Sequence, residues 1–180
     1  MPVESAFVPF VRAIHCREAV MIYLFNYFNH TNLLYLFPLT YLIHIGEEYR
    51  AGYSQYLWRH YGIELPVRRF VALQTLGMVL MTTGVMLALN LGVPNTMLVI
   101  LAAVTMGNSL IHVAKSTAGL VYEPGLVSSV LIWMPVSSIT LVTAWDYMSV
   151  TRYAMSCLTG LTICGVIEWI ASRGGRVVRV

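Results

Sequence analysis

Five polar residues set inside apolar sequence carry whatever chemistry this chain performs: His44, Glu47 and Glu48 near the end of LLYLFPLTYLIHIGEEY, and Asn108 and His112 within VTMGNSLIHV. Positions three and four apart share one face of a helix, so His44 presents its imidazole beside the carboxylates that follow it. A carboxylate in hydrocarbon without a partner costs on the order of several kcal/mol, which demands a counter-charge, a proton or a metal. Imidazole with carboxylate suits zinc or ferrous iron, and a set of two histidines and one carboxylate leaves positions open for water, oxygen or substrate. The expected ligands are therefore His44, one or both of Glu47 and Glu48, and His112, with Asn108 as a further ligand or an orienting group. A carboxylate of the Glu47–Glu48 pair not spent on the ion would act as general base on bound water. Glu168 is a further carboxylate candidate, and Tyr122 offers a phenol at the mouth of the site. The competing reading is a metal-free network in which the glutamates pair with His44, His112, Lys115 or Arg50.

The elements that must position these groups are membrane helices. Of 180 residues, 58% are hydrophobic and 11% charged, and mean hydropathy is +0.71. Long apolar stretches broken by Gly and Pro, with charges at their ends, describe an all-α polytopic bundle. The punctuation predicts about five spans within residues 32–175. The first starts near Asn32 and passes Pro38, then continues as an aromatic and basic stretch as far as Gly62; the second covers roughly 67–91. The third, capped by Asn95 or Thr96, runs to about Ala118; the fourth covers 126–144 with Pro135 inside it; the fifth follows a Ser149 cap and ends at Gly174. Residues 1–31 mix Phe7, Phe10 and Ile14 with Arg12, His15 and Arg17, the pattern of an amphipathic helix lying in the interface. They lack the layout of a cleaved signal peptide and are expected to stay with the mature chain. Residues 176–180 form a short cytoplasmic tail.

Net charge is +3, but the basic residues stand singly at the ends of apolar segments, so topology explains them and nucleic acid does not. Arg50, Arg59, Arg68, Arg69, Lys115, Arg173, Arg176 and Arg179 fall on one side of a five-span arrangement. The bias places the N-terminus outside and the C-terminus in the cytoplasm of a multi-pass cell-membrane protein. His44, Glu47, Asn108 and His112 then lie at overlapping depths, roughly 17–26 Å along parallel spans at 1.5 Å per residue, with Glu168 a little deeper. Lys115 is expected to snorkel to the interface, Glu123 to face solvent in its Pro-Gly turn, and His60 to belong to an aromatic interface belt. Gly77, Gly84, Gly107, Ser128 and Ser129 read as small residues that permit close helix contacts. Cys16, Cys157 and Cys164 form no CxxC pair and read as buried free thiols.

The segment LFPLTYLIHIGEEY resembles the opening helix of a family of integral membrane proteins named for its HXXEE motif, here His44, Glu47 and Glu48. NSLIH supplies the NxxxH pattern through Asn108 and His112, and YEPGLVSS resembles the segment that follows it, from Tyr122 to Val127. The resemblance covers residues 33–136 or so and implies a membrane protein with a metal-dependent activity, without naming a reaction. The expectation is thus a membrane-embedded, metal-dependent hydrolase or oxidoreductase acting on an amphiphilic or lipid-like substrate near the cytoplasmic leaflet. The alternatives are a metal-independent acid-base isomerase of sterol-like lipids, or a transporter or accessory subunit with a membrane partner or a second copy of itself. No phosphate loop, GxSxG, HExxH or nucleic-acid module is present.

Overall fold

The computed structural model describes residues 30–174 and 176–177, with side chains over residues 32–171. Residues 1–29 of the extension expected over 1–31, and residues 178–180 of the tail expected over 176–180, lie outside the described residues; His30 and Thr31 belong to the first helix, and Arg176 and Val177 to a short strand. Among the described residues six helices follow one another: α1 (His30–Arg50), α2 (Tyr53–Tyr61), α3 (Val67–Asn90), α4 (Pro94–Gly119), α5 (Leu126–Trp145) and α6 (Val150–Gly174). Two-residue strands at Ile63–Glu64 and Arg176–Val177 pair antiparallel, with Ile63 opposite Val177.

Of these, α3, α4, α5 and α6 are long and apolar enough to cross a membrane. α1 has comparable length, 21 residues, but its polar ends and His44, Glu47 and Glu48 dilute its hydropathy. Its faces are inverted relative to a soluble helix. Tyr35, Leu39, Leu42 and Ile43 are exposed, while His44 and Glu48 are buried at 2% and 4% exposure. Polar groups inward and apolar groups outward is the arrangement hydrocarbon imposes.

Local sequence explains where the helices stop. The helix does not run on from Glu48 to Gly62 as its composition predicts; it breaks at Gly52, which takes φ 74°, and restarts as α2. Gly62, at φ 64°, ends α2 where expected. Pro94 sits in the first turn of α4, so Val93, and neither Asn95 nor Thr96, is the cap. In α5, Pro135 has no N–H to give, and the turn before it widens: the Met134 amide donates to the Ser129 carbonyl, five residues back, over a π segment Ser129–Trp133. Ser149 caps α6 as its position predicts, its Oγ accepting from the Arg152 amide.

α4 is the hub, packing on α6, α5 and α1. Its approach to α6 relies on small residues: a Cβ at Gly160 would lie 2.5 Å from the Ile100 carbonyl and 2.6 Å from the Ala103 Cβ. One apolar cluster, Leu33, Leu34, Phe37, Val85, Leu98 and Leu101, joins α1, α3 and α4. A second, around Tyr53, Tyr56, Leu57, Leu65 and Phe70, seats α2 against the start of α3.

Candidate metal centre

Consecutive residues of a helix point about 100° apart, so one face can take only one of two adjacent glutamates. α1 turns Glu48 inward. Its Oε1 lies 3.6 Å from His44 Nε2 on the same helix and 3.6 Å from His112 Nε2 on α4. The ligand atoms of His44, Glu48 and His112 all lie within 4.8 Å of one another, and all three residues are buried. Donors about 2.1 Å from a common tetrahedral ion are about 3.4 Å apart. The group is therefore spaced as ligands around an ion are spaced, slightly too wide for direct hydrogen bonds, and it could hold a metal.

The surroundings orient each donor. His44 Nδ1 is 2.8 Å from Ser128 Oγ, and Trp133, from the π segment of α5, stacks on the His44 ring at 3.9 Å between centroids. His112 Nδ1 lies 3.6 Å from Glu123 Oε2, which leaves its Nε2 toward Glu48. The second oxygen of Glu48 accepts from Gln74 Nε2 at 2.7 Å, and Gln74 accepts in turn from the Tyr41 hydroxyl at 2.6 Å. Asn108 Nδ2 stands 3.5 Å from His44 Nε2. Above the two rings the chain passes as Gly125, at φ 96°, where a Cβ would lie 2.8 Å from Cε1 of both His44 and His112. Only a residue without a side chain fits there.

Residues 35–140, more than half of the chain, match the profile described as a protein of unknown function with HXXEE motif. The chain belongs to the HXXEE family. No curated protein and no solved structure matches it. The family's motif is split by the fold into two tasks. His44 and Glu48 enter the buried group, whereas Glu47 is engaged by the start of α5: its Oε1 accepts from the Tyr122 hydroxyl at 2.5 Å and from the Gly125 and Val127 amides, and its Oε2 accepts from the Ser128 amide at 2.7 Å. A carboxylate on a helix N-terminus satisfies orphan amides and the helix dipole together. The HXXEE glutamates thus build one ligand and one clamp, and the clamp positions Gly125 and Ser128 over the histidines.

Glu47 is accordingly placed outside the ion site expected to contain it, and Tyr122, expected at a catalytic position, is bonded to Glu47. Burial and that bond push the Tyr122 phenol up to about 12, so it remains a donor across the physiological range. Glu168 also stands apart from the three ligands: it accepts from Lys115 Nζ at 3.0 Å. Lys115 does not snorkel outward; its Nζ bridges Glu168 and, at 3.6 Å, Glu123. Glu123 corrects the expectation most sharply. It is fully buried, not solvent-facing, and holds its carboxylate between His112 and Lys115. Sequence reasoning passes over Gln74 and Trp133, although Gln74 carries a signal, being an amide between the apolar runs Phe70–Leu73 and Leu76–Met81 of α3. Ser128, read as a packing residue, contributes its hydroxyl to His44.

Proposed function

We propose that this member of the HXXEE family is a membrane-embedded, metal-dependent enzyme, a hydrolase or oxidoreductase, with one zinc or iron ion held by His44, Glu48 and His112. The observation that carries the proposal is the spacing of one carboxylate oxygen 3.6 Å from two imidazole nitrogens in a buried site. Charge supports it. Glu48 and Glu123 are buried carboxylates, at 4% and 0% exposure, and Lys115 already has Glu168 at 3.0 Å, so a divalent cation gives the buried acids a counter-charge.

Each chain residue then has a defined task. Ser128 Oγ sits on the Nδ1 side of His44 at 2.8 Å and the Glu123 carboxylate faces Nδ1 of His112 at 3.6 Å, so both rings present Nε2 toward Glu48. Gln74, held by Tyr41, donates to the second Glu48 oxygen and so fixes the carboxylate whose other oxygen faces the histidines. Trp133 and the Gly125 backbone exclude bulk water, while Asn108 sets the polarity beside His44. A divalent ion bound there supplies Lewis acidity and an acidic water at neutral pH. α1 serves as a fifth span, with the N-terminus outside and the site toward the cytoplasmic leaflet, where an amphiphilic substrate is reached from the membrane.

Elemental analysis of purified protein tests the reading. About one equivalent of zinc or iron is expected in wild type and little in His44→Ala, Glu48→Ala or His112→Ala. Wild type without stoichiometric metal sinks it and returns the site to metal-free acid-base chemistry or to an accessory role.

A further inference from the structure

Two cavities flank the break between α1 and α2. The smaller, about 290 Å³, opens on Glu48 and is walled by Tyr49, Tyr53, Val67 and Phe70 together with Arg50. The larger, about 480 Å³, is bounded by Arg50, Arg59 and His60 on one side and by Tyr122 and Pro124 on the other. Arg50, Gly52 and Gln55 belong to the walls of both, so the two spaces adjoin. The charge of the larger one is one-sided. No carboxylate lines it, and among the described residues neither Arg50 nor Arg59 is paired with an acid. Guanidinium groups left without acids around a concave space fit a phosphate, which takes their paired N–H donors bidentately. The smaller cavity adds Tyr49, Tyr53, Val67 and Phe70 to the shared Arg50 and Gln55, and it reaches the carboxylate of the candidate ion site, Glu48.

We propose that the two cavities form one binding site for a phosphate-bearing amphiphile, with the phosphate between Arg50 and Arg59 and the adjoining part of the molecule against Glu48. The inference rests on reading His44, Glu48 and His112 as the reacting centre, and it names the substrate class that centre would meet. Tyr122 and Pro124 flank the head group and immediately precede Gly125 over the histidines, so head-group recognition and the reacting centre share one stretch of chain.

The test uses the full chain in phosphatidylcholine nanodiscs, titrated with dihexanoyl phosphatidic acid, with dihexanoyl phosphatidylcholine and with inorganic phosphate. Phosphatidic acid is expected to bind at least tenfold tighter than either comparison ligand. Arg50→Gln and Arg59→Gln should each weaken it by about tenfold, the scale of a lost charge-assisted hydrogen bond. Arg68→Gln, outside the cavity, should leave it unchanged. Equal weakening by Arg68→Gln would reduce the effect to general surface charge and overturn the proposal. So would indifference to both cavity arginines, or inorganic phosphate binding as tightly as the lipid, which would make the ligand a free anion. Metal content is measured on the same samples. Arginine-dependent lipid binding without metal defeats the ion-centre reading and leaves the head-group site standing; stoichiometric metal with arginine-independent binding defeats this inference alone.

Discussion

Glu47 and Glu48 are neighbours in the motif but should fail in opposite ways when replaced. Glu47 accepts four hydrogen bonds from Tyr122, Gly125, Val127 and Ser128, the strongest of them at 2.5 and 2.7 Å. A hydrogen bond to a charged group contributes about 1.5–3 kcal/mol, with bonds to one carboxylate far from additive and the Tyr122 end exposed. Glu47→Ala should therefore destabilise the protein by about 3–5 kcal/mol, with or without metal, by freeing the start of α5. Glu48→Gln removes a buried charge and retains an acceptor for Gln74, so the metal-stripped protein should stay within about 1 kcal/mol of wild type or gain stability. Its loss appears only with metal present, as the binding free energy that wild type gains and the variant does not. Unfolding midpoints in mild detergent, measured with zinc or iron and again after chelation, separate the two. The reasoning is refuted if Glu48→Gln retains a full equivalent of metal, or if Glu47→Ala unfolds like wild type after chelation.

Gly125→Ala should lower metal affinity at least tenfold, because its methyl meets His44 and His112 at 2.8 Å and Glu48 at 3.2 Å; a chelator competition that finds wild-type affinity would deny Gly125 its place over the rings. Glu123→Gln should weaken metal binding by about 10- to 100-fold, as expected when the carboxylate behind a ligating histidine loses its charge. Unchanged affinity would mean that Glu123 serves Lys115 alone. The Tyr122 phenol sits at about 12 against an ordinary 10, so between these values the unfolded chain releases a proton that the folded one keeps, and stability falls as pH rises. Alkaline melts of Tyr122→Phe should show a shallower decline than wild type over that window, and parallel curves would contradict the Tyr122–Glu47 bond. Gly160→Val should destabilise by about 1–3 kcal/mol or more through the α4–α6 contact, read from its unfolding midpoint.

The helices could be read from the chain because hydrocarbon imposes length and apolarity on each one separately, and glycine and proline mark the ends. His44, Glu48 and His112 could be brought together for a similar reason: depth along a span follows from counting residues, and buried ionisable groups at equal depth must neutralise one another. Azimuth follows from no such count. Whether Glu47 or Glu48 looks inward depends on which side of α1 receives α4 and the start of α5, a tertiary fact that spacing three and four from His44 leaves open. Glu123 was misread because a Pro-Gly turn ordinarily faces water, and composition cannot show a turn folding back under the bundle. Yet Lys115 held the clue. Its ammonium lies about one helical turn beyond His112, and a cation at that depth draws acids within reach; Glu168 supplies one at 3.0 Å, and Glu123, the only acid in the short connection after α4, approaches to 3.6 Å. Asking which opposite charge every ionisable residue between the ends of the spans can reach, and not the histidines alone, leads from Lys115 to Glu123, whereas the uncharged Gln74 answers to the rule that a buried polar group needs a hydrogen-bond partner.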